Sequence, residues 1–433
     1  MKTTFSAWVE ANKDAILSET QAILRIPSVK EELAGAGAPF GRPCADALKS
    51  TLDLCERLGF RVQNFDGYAG HAEIGPEDAP EYVAALGHLD VVPTGDEATW
   101  SVPPFGAVVK DGWLYARGAS DDKGPTCAAL FAMKAVLDSG APLRRRIRLI
   151  LGCDEESGWE CMEHYFGAAG QPKPTYAFAP DADFPLIHAE KGAFTAGVSK
   201  KVVSRVARLS SGLRSNMVPE SATATLEDGT TISALGQSAH GSTPERGINA
   251  AVKLLESLGE DWAGELAGFA AIDGAGLSLK GEDVPSGALT CNLGVVQVEE
   301  GVAQGTINVR YPVTWLPAEV EARFRSAVEA QGWSVVSYKD LAPLYVPIDA
   351  EPVRTLLAVY RDHTGDARPP LAIGGRTYAT AVAPVGVAFG AAMPGDPDVA
   401  HQPDERILVE RLFQCTRIYA DALYRLAHIA PER

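Results

Sequence analysis

Apolar positions in this chain follow two patterns. Phe5, Trp8, Val9, Ile16, Ile23 and Leu24 fall on one helical stripe, with Asn12 a polar break in it, and predict a helix that ends at Ile26-Pro27-Ser28. A second helix is expected from about Ala45 to Leu58, and Gly59-Phe60-Arg61-Val62 begins a strand. The runs Tyr82 to Leu86, Ile147 to Leu151, Tyr176 to Ala179 and Val385 to Phe389 are short and continuously apolar, as strands buried on both faces are. The basic group Arg144-Arg145-Arg146 reads as a solvated strand start. Between the first two runs, Pro125 to Leu137 carries Cys127, Leu130, Phe131 and Leu137 on one helical side. Leu408, Leu412, Cys415, Tyr419, Leu423 and Leu426 mark a C-terminal helix. Strand, loop, helix, strand is the order of an α/β fold with a mixed sheet flanked by helices.

The middle of the chain differs. From about Gly192 to Asp349, β-rich patches such as Ala222 to Leu226 and Thr306 to Tyr311 alternate with a helix carrying Ile248, Val252, Leu255 and Leu258. Chemistry-bearing residues lie on both sides of this stretch. The expected organisation is therefore a catalytic domain formed by residues 1–191 and 350–433, interrupted by an inserted α+β lid domain at 192–349. A length of 433 residues suits two cores.

Composition narrows the function classes. A net charge of −17, from 39 basic and 56 acidic residues, offers no field for a phosphate backbone, so nucleic acid is not an expected partner. Seven cysteines, at 44, 55, 127, 153, 161, 291 and 415, form no Cys-x-x-Cys pair and read as reduced, packed thiols, which fits the cytoplasm. The first residues, with charges at Glu10, Lys13 and Asp14, lack an apolar signal core, and no stretch approaches a membrane span.

Five short patches border the buried runs: His88-Leu89-Asp90, Ser120 to Gly124, Asp154-Glu155-Glu156-Ser157, Pro180-Asp181 and Ala400-His401. An open α/β sheet gathers the carboxyl ends of its strands at one edge, so such patches can meet around an ion or substrate. His88 and Asp90 share a face of an extended segment, and Asp90 suits a partner that orients a ligating histidine, although an exposed strand end has the same pattern. Asp121 and Asp122 precede a helix and would serve as a plain cap; a carboxylate there would also bridge two cations, a role assigned to Asp121. Three acids at a buried strand end, Asp154 to Glu156, repel one another unless cations neutralise them. Of Glu155 and Glu156, one would ligate and the other accept a proton from water. Asp181 and His401 complete the set; alone, each would read as a surface residue.

Taken together, these residues resemble the dinuclear zinc peptidases that include carnosinases, aminoacylases and carboxypeptidase G-like enzymes, most closely bacterial peptidase V-like dipeptidases. The resemblance covers nearly the whole chain. It rests on Gly87-His88-Leu89-Asp90-Val91-Val92-Pro93, Ala116 to Pro125, Pro180 to Pro185 and Ala239-His240-Gly241-Ser242-Thr243-Pro244-Glu245-Arg246-Gly247. It implies one zinc on His88, Asp121 and Asp181 and a second on Asp121, Glu156 and His401, with Glu155 as general base, Asp90 orienting His88, and a cis peptide between Asp121 and Asp122. Two divalent cations against three ligating carboxylates and one hydroxide make a neutral cluster. The implied chemistry is hydrolysis of Xaa-Xaa dipeptides, Xaa-His or β-Ala-containing ones among them, by a metal-activated water whose proton Glu155 carries to the leaving amine.

The resemblance also implies that His240 donates to the oxyanion, and that Asn216, within Asn216-Met217-Val218-Pro219, and Gly374-Gly375 lie near the substrate. Arg310, at a strand end, would grip the substrate carboxylate in a fork geometry. Arg376 and Thr380 depart from the family pattern of a third small residue and a later arginine. Aspartate at 181, rather than the glutamate of the carboxypeptidase and desuccinylase branch, favours a dipeptidase. The alternatives are an N-acyl-amino-acid deacylase or desuccinylase on the same metals, a non-catalytic metal-binding protein, and a two-metal phosphoesterase, the last disfavoured by few basic residues. Mixed imidazole and carboxylate ligands also accept Co²⁺ or Mn²⁺. Monomer and homodimer both remain open.

Overall fold

The computed structural model describes residues 1–32 and 35–430. The chain divides into two compact units, Met1–His188 with Val346–Leu371 and Thr377–Arg433, and Ala189–Tyr345 with Ala372–Arg376.

The first unit is built on a mixed sheet with strand order Arg61–Phe65, Ala69–Ile74, Arg146–Gly152, Tyr82–His88, Tyr176–Ala179 and Gly386–Ala388, beyond which Ile187 pairs with Ala388. The four strands from Arg146–Gly152 to Gly386–Ala388 are mutually parallel; the two before them are antiparallel additions. Parallel strands end on the same edge, and the residues just beyond His88, Gly152 and Ala179 are three of the acidic patches. All of Tyr82–His88 is buried, as a strand covered on both faces must be. The helix Lys123–Asp138 packs on this strand, on Lys2–Leu24 and on the C-terminal helix Val409–Leu426. Gly87 permits that contact, since a Cβ there would lie 2.0 Å from Thr126 Oγ1.

The expected helices and strands of this unit form within a few residues of their anticipated bounds, and the mixed α/β class holds. The basic group is a correction in part, since Arg144 is exposed as expected. Arg145 is buried, with Nε 2.6 Å from Glu81 Oε2, while Arg146 and the buried Arg148 reach Glu73 at 3.2 and 2.7 Å. Glu73 stands directly opposite Arg148 on the neighbouring strand, so carboxylates meet these arginines inside the sheet instead of water. All seven thiols are free and buried. Among the described residues no helix is long and apolar enough to cross a membrane.

The second unit is an antiparallel seven-stranded sheet in the order Thr231–Leu235, Ser221–Leu226, Val206–Ser211, Thr290–Glu299, Val302–Tyr311, Gly192–Lys201 and Ser334–Leu341. Along Ser221–Leu226, Ala222, Ala224 and Leu226 are buried and alternate with more exposed residues, the mark of a sheet packed on one face. Leu254, Leu255 and Leu258 of the helix Ala250–Leu258, with Leu266, Phe269, Phe324 and Val328, complete that core. Ile248 falls outside the helix and is exposed; Asn249 caps the first turn by accepting from Val252 N–H at 3.1 Å.

Candidate metal centre

His88 is the last residue of its strand and buried. Its Nε2 lies 3.0 Å from Asp121 Oδ1 and 3.8 Å from Asp181 Oδ2. The other oxygen of Asp121, Oδ2, lies 3.0 Å from His401 Nε2, which is 2.9 Å from Glu156 Oε1. One carboxylate thus faces two imidazoles, one per oxygen. Donor atoms of His88, Asp121 and Glu156 all fall within 4.8 Å of one another, as do those of His88, Glu155 and Asp181. Donors around one tetrahedral cation, at bond lengths of about 2.0–2.2 Å, sit roughly 3.3–3.6 Å apart. The hard oxygens and neutral-capable imidazoles, at this spacing, fit a pair of divalent ions.

The main chain beneath is fixed locally. The Asp121-Asp122 peptide is cis, as the resemblance implies. Asp122 makes no side-chain cap on the helix behind it; its Oδ2 accepts from His88 N–H at 3.2 Å and from Thr126 Oγ1 at 2.9 Å. Asp90 meets the His88 ring mainly through its carbonyl, 2.9 Å from Nδ1, with the nearer carboxylate oxygen at 3.6 Å. The Asp90 carboxylate instead accepts the N–H groups of Glu155 and Glu156, each at 3.1 Å. The acid triplet divides by role: buried Asp154 pairs with Lys30 at 2.7 Å, Glu156 faces His401, and Glu155 lies near His88 and Asp181. Glu405, which no sequence pattern singled out, accepts the Asp121 N–H at 3.1 Å and binds Arg117 at 2.7 Å.

Crowding shifts the proton affinities. Burial pushes Glu155, Glu156 and Asp181 above the ordinary carboxylate range, and repulsion from Asp121 adds to it. Burial alone would lower His88, but its hydrogen bonds to Asp121 and Asp90 outweigh that and hold it well above the usual imidazole range. Hydrogen bonds to Asp121 and Glu156 carry His401 up to about 10. Burial opposes ionisation of Asp121 too, yet the two imidazoles keep it below the ordinary range. Without a cation, then, both imidazoles hold their protons more tightly than a free histidine does. A metal needs them gone, so binding must expel protons and strengthen as pH rises, by up to about tenfold per pH unit for each proton displaced. Adding Zn²⁺ to metal-depleted protein in weak buffer at pH 7 is expected to acidify the solution; affinity independent of pH between 6 and 8 would contradict the ligand set.

The second unit brings most of the other anticipated residues together. Met217 and His240 form a bridge, Gly241 N–H donates to the Asn216 carbonyl at 2.7 Å, and His240 Nδ1 is 2.6 Å from Ser242 Oγ. A Cβ on Gly374 would come within 2.8 Å of Ser242 Cβ, so this glycine is required by packing, whereas Gly375 has ordinary room. Arg310, one residue before its strand ends, is buried, with Nε donating to Asn308 Oδ1 at 3.2 Å. Burial and neighbouring Arg376 lower it to about 10. Thr290, opposite Arg310 in the ladder, reaches the Ser242 carbonyl at 3.4 Å. Asn292, absent from the expected set, holds the Ser215 and Met217 carbonyls at 3.2 and 2.9 Å and so braces Asn216.

The chain is similar to known proteins over most of its length. Residues 84–425 match the model of peptidase family M20/M25/M40. A Bacillus subtilis (strain 168) protein named "Putative dipeptidase YtjP" is 40% identical over 464 aligned residues, covering 96% of this chain and 98% of that one. Human carnosine dipeptidase 1 superposes with a TM-score of 0.65 at 16% identity, over 99% of each chain. Bacillus subtilis YXEP, described as a dinuclear metal binding peptidase, superposes with a TM-score of 0.57 at 11% identity, over 97% of this chain and 100% of that one. The family match spans well over half of the sequence, and this chain belongs to the M20/M25/M40 peptidases.

Proposed function

We propose that this protein is a two-metal dipeptidase in which His88, Asp121 and Asp181 would hold one zinc ion and Asp121, Glu156 and His401 a second. The observation that carries the reading is the Asp121 carboxylate, each oxygen of which faces a different imidazole at 3.0 Å. Such a cation pair, when bound, polarises a carbonyl and acidifies a water at neutral pH. Glu155 would take the proton from the attacking water on its carboxylate and pass it to the leaving amine, with its own N–H held by Asp90. His240 would donate to the developing oxyanion, Arg310 would pair with the substrate's terminal carboxylate, and Asn216 and Gly374-Gly375 would border the peptide.

The dipeptide assignment draws on aspartate at position 181 and on the name of the 40% identical relative. The name of the YXEP protein supports a dinuclear centre. Free, buried thiols support a reducing compartment such as the cytoplasm.

A substrate panel tests it. Xaa-Xaa dipeptides, with Xaa-His and β-Ala members, should release two amino acids, while N-acetyl and N-succinyl amino acids are left intact. Chelation should abolish turnover and added Zn²⁺, Co²⁺ or Mn²⁺ restore it. C-terminally amidated dipeptides should show a raised KM, because Arg310 loses its anionic partner. Preferential cleavage of the N-acyl compounds would make the protein a deacylase, and stoichiometric metal without amide hydrolysis would make it a binding protein.

A further inference from the structure

Beneath the proposed metal ligands lies a buried ion pair that joins their loops. Glu405 is fully buried with both carboxylate oxygens engaged. Its Oε2 is 2.7 Å from Arg117 NH1, while Oε1 accepts from Ser120 N–H at 2.9 Å, Ser120 Oγ at 3.1 Å and Asp121 N–H at 3.1 Å. Arg117, also buried and stacked 5.1 Å over the Trp100 ring, reaches the Gln402 and Pro93 carbonyls at 3.4 Å. The pair therefore touches the Asp121 segment directly, the His401 loop through Gln402 and the chain leaving His88 through Pro93.

The ligands differ in how much they need it. His88 is enclosed, with its ring fixed by the Asp90 carbonyl and its N–H by Asp122. His401 has a side chain about half exposed, at 49%, and its backbone is in the left-handed region at φ 61°. That imidazole meets Asp121 and Glu156 through Nε2 and is otherwise half open, so its place also depends on the loop ending at Glu405. Asp404, just before, adds a tie by accepting from Ser101 N–H at 2.7 Å.

We propose that Glu405 is a positioning residue that sets the distance between His401 and the bridging Asp121, so that the Asp121, Glu156 and His401 position depends on it more than the His88, Asp121 and Asp181 position. This rests on the two-metal reading above. Partners behind metal ligands typically alter affinity by about 10–100-fold.

The test is a Co²⁺ titration of metal-depleted protein, with a competing chelator and the visible cobalt absorption as readouts. Wild type should take up two ions. Glu405→Gln should keep one at near wild-type affinity and bind the second about 10–100-fold more weakly, with a changed absorption envelope. Because that variant leaves Arg117 buried without a counter-charge, Glu405→Met with Arg117→Met removes both charges; it should unfold near the wild-type temperature yet still bind the second ion weakly. Two ions held at wild-type affinity in either folded variant, or both ions weakened equally, would overturn the proposal. Failure of both variants to fold would overturn it as well, by assigning the pair to stability. A wild-type protein that takes up fewer than two ions would instead overturn the two-metal reading itself.

Discussion

Replacing Asp121 with alanine is expected to empty both cation positions together and to lower dipeptide turnover by about 10³-fold or more, from several kcal/mol of lost electrophilic stabilisation at 1.36 kcal/mol per decade. The argument is geometric. Each oxygen of Asp121 faces a different imidazole, His88 at 3.0 Å and His401 at 3.0 Å, so one truncation removes a donor from both sets. Asp181 and His401 each serve a single set in this arrangement, and Asp181→Ala should cost one ion where Asp121→Ala costs two. Elemental analysis of the purified variants, beside hydrolysis of the best dipeptide, reads both effects. An Asp121→Ala protein that still carries two ions and turns over at more than a tenth of the wild-type rate would remove the bridge from the mechanism.

Part of the candidate site was legible in the sequence because buried parallel strands are written as short unbroken apolar runs, and their ends could be located without any knowledge of how they pair. His88, Glu156 and Asp181 stand at or near such ends, Asp121 lies just ahead of a helix and His401 in a loop, and the first unit brings all five together. What stayed hidden depended on partners distant along the chain. Arg145 looks solvated until Glu81 is placed beside it, and Arg148 is buried because Glu73 faces it from the next strand. Glu405 follows Pro403 and Asp404 in a polar loop and reads as surface; its burial comes from Arg117, 288 residues earlier. The role of the Asp90 carboxylate, gripping the amides of Glu155 and Glu156, is likewise a fact of folding and not of spacing. In the second unit the helix start was misjudged at Ile248 because its hydrophobicity fits the stripe, whereas Asn249 supplies the cap that begins the helix two residues later.

Glu155 and Glu156 are adjacent and equally acidic, and the second large effect separates them. Glu156 points to His401 at 2.9 Å, so Glu156→Gln should weaken the second ion. The donor oxygen of Glu155 lies within 4.8 Å of the donor atoms of His88 and Asp181. That is close enough either to ligate or to act on a water held between them. The two roles give opposite metal contents. As base, Glu155→Gln keeps both ions and loses about 10²–10⁴-fold in kcat; as ligand, it loses an ion along with the rate. In the metal-free protein burial raises the Glu155 pKa, with His88 opposing and Glu156 and Asp121 adding to the shift, and a bound cation pair would pull it back down. As base, Glu155 must be ionised in the loaded enzyme, so the wild-type kcat should climb with pH along an acidic limb that the Glu155→Gln variant lacks. A variant with full activity would end the role of Glu155 altogether, and one lacking an ion would move it into the ligand set and leave the proton transfer to be assigned elsewhere.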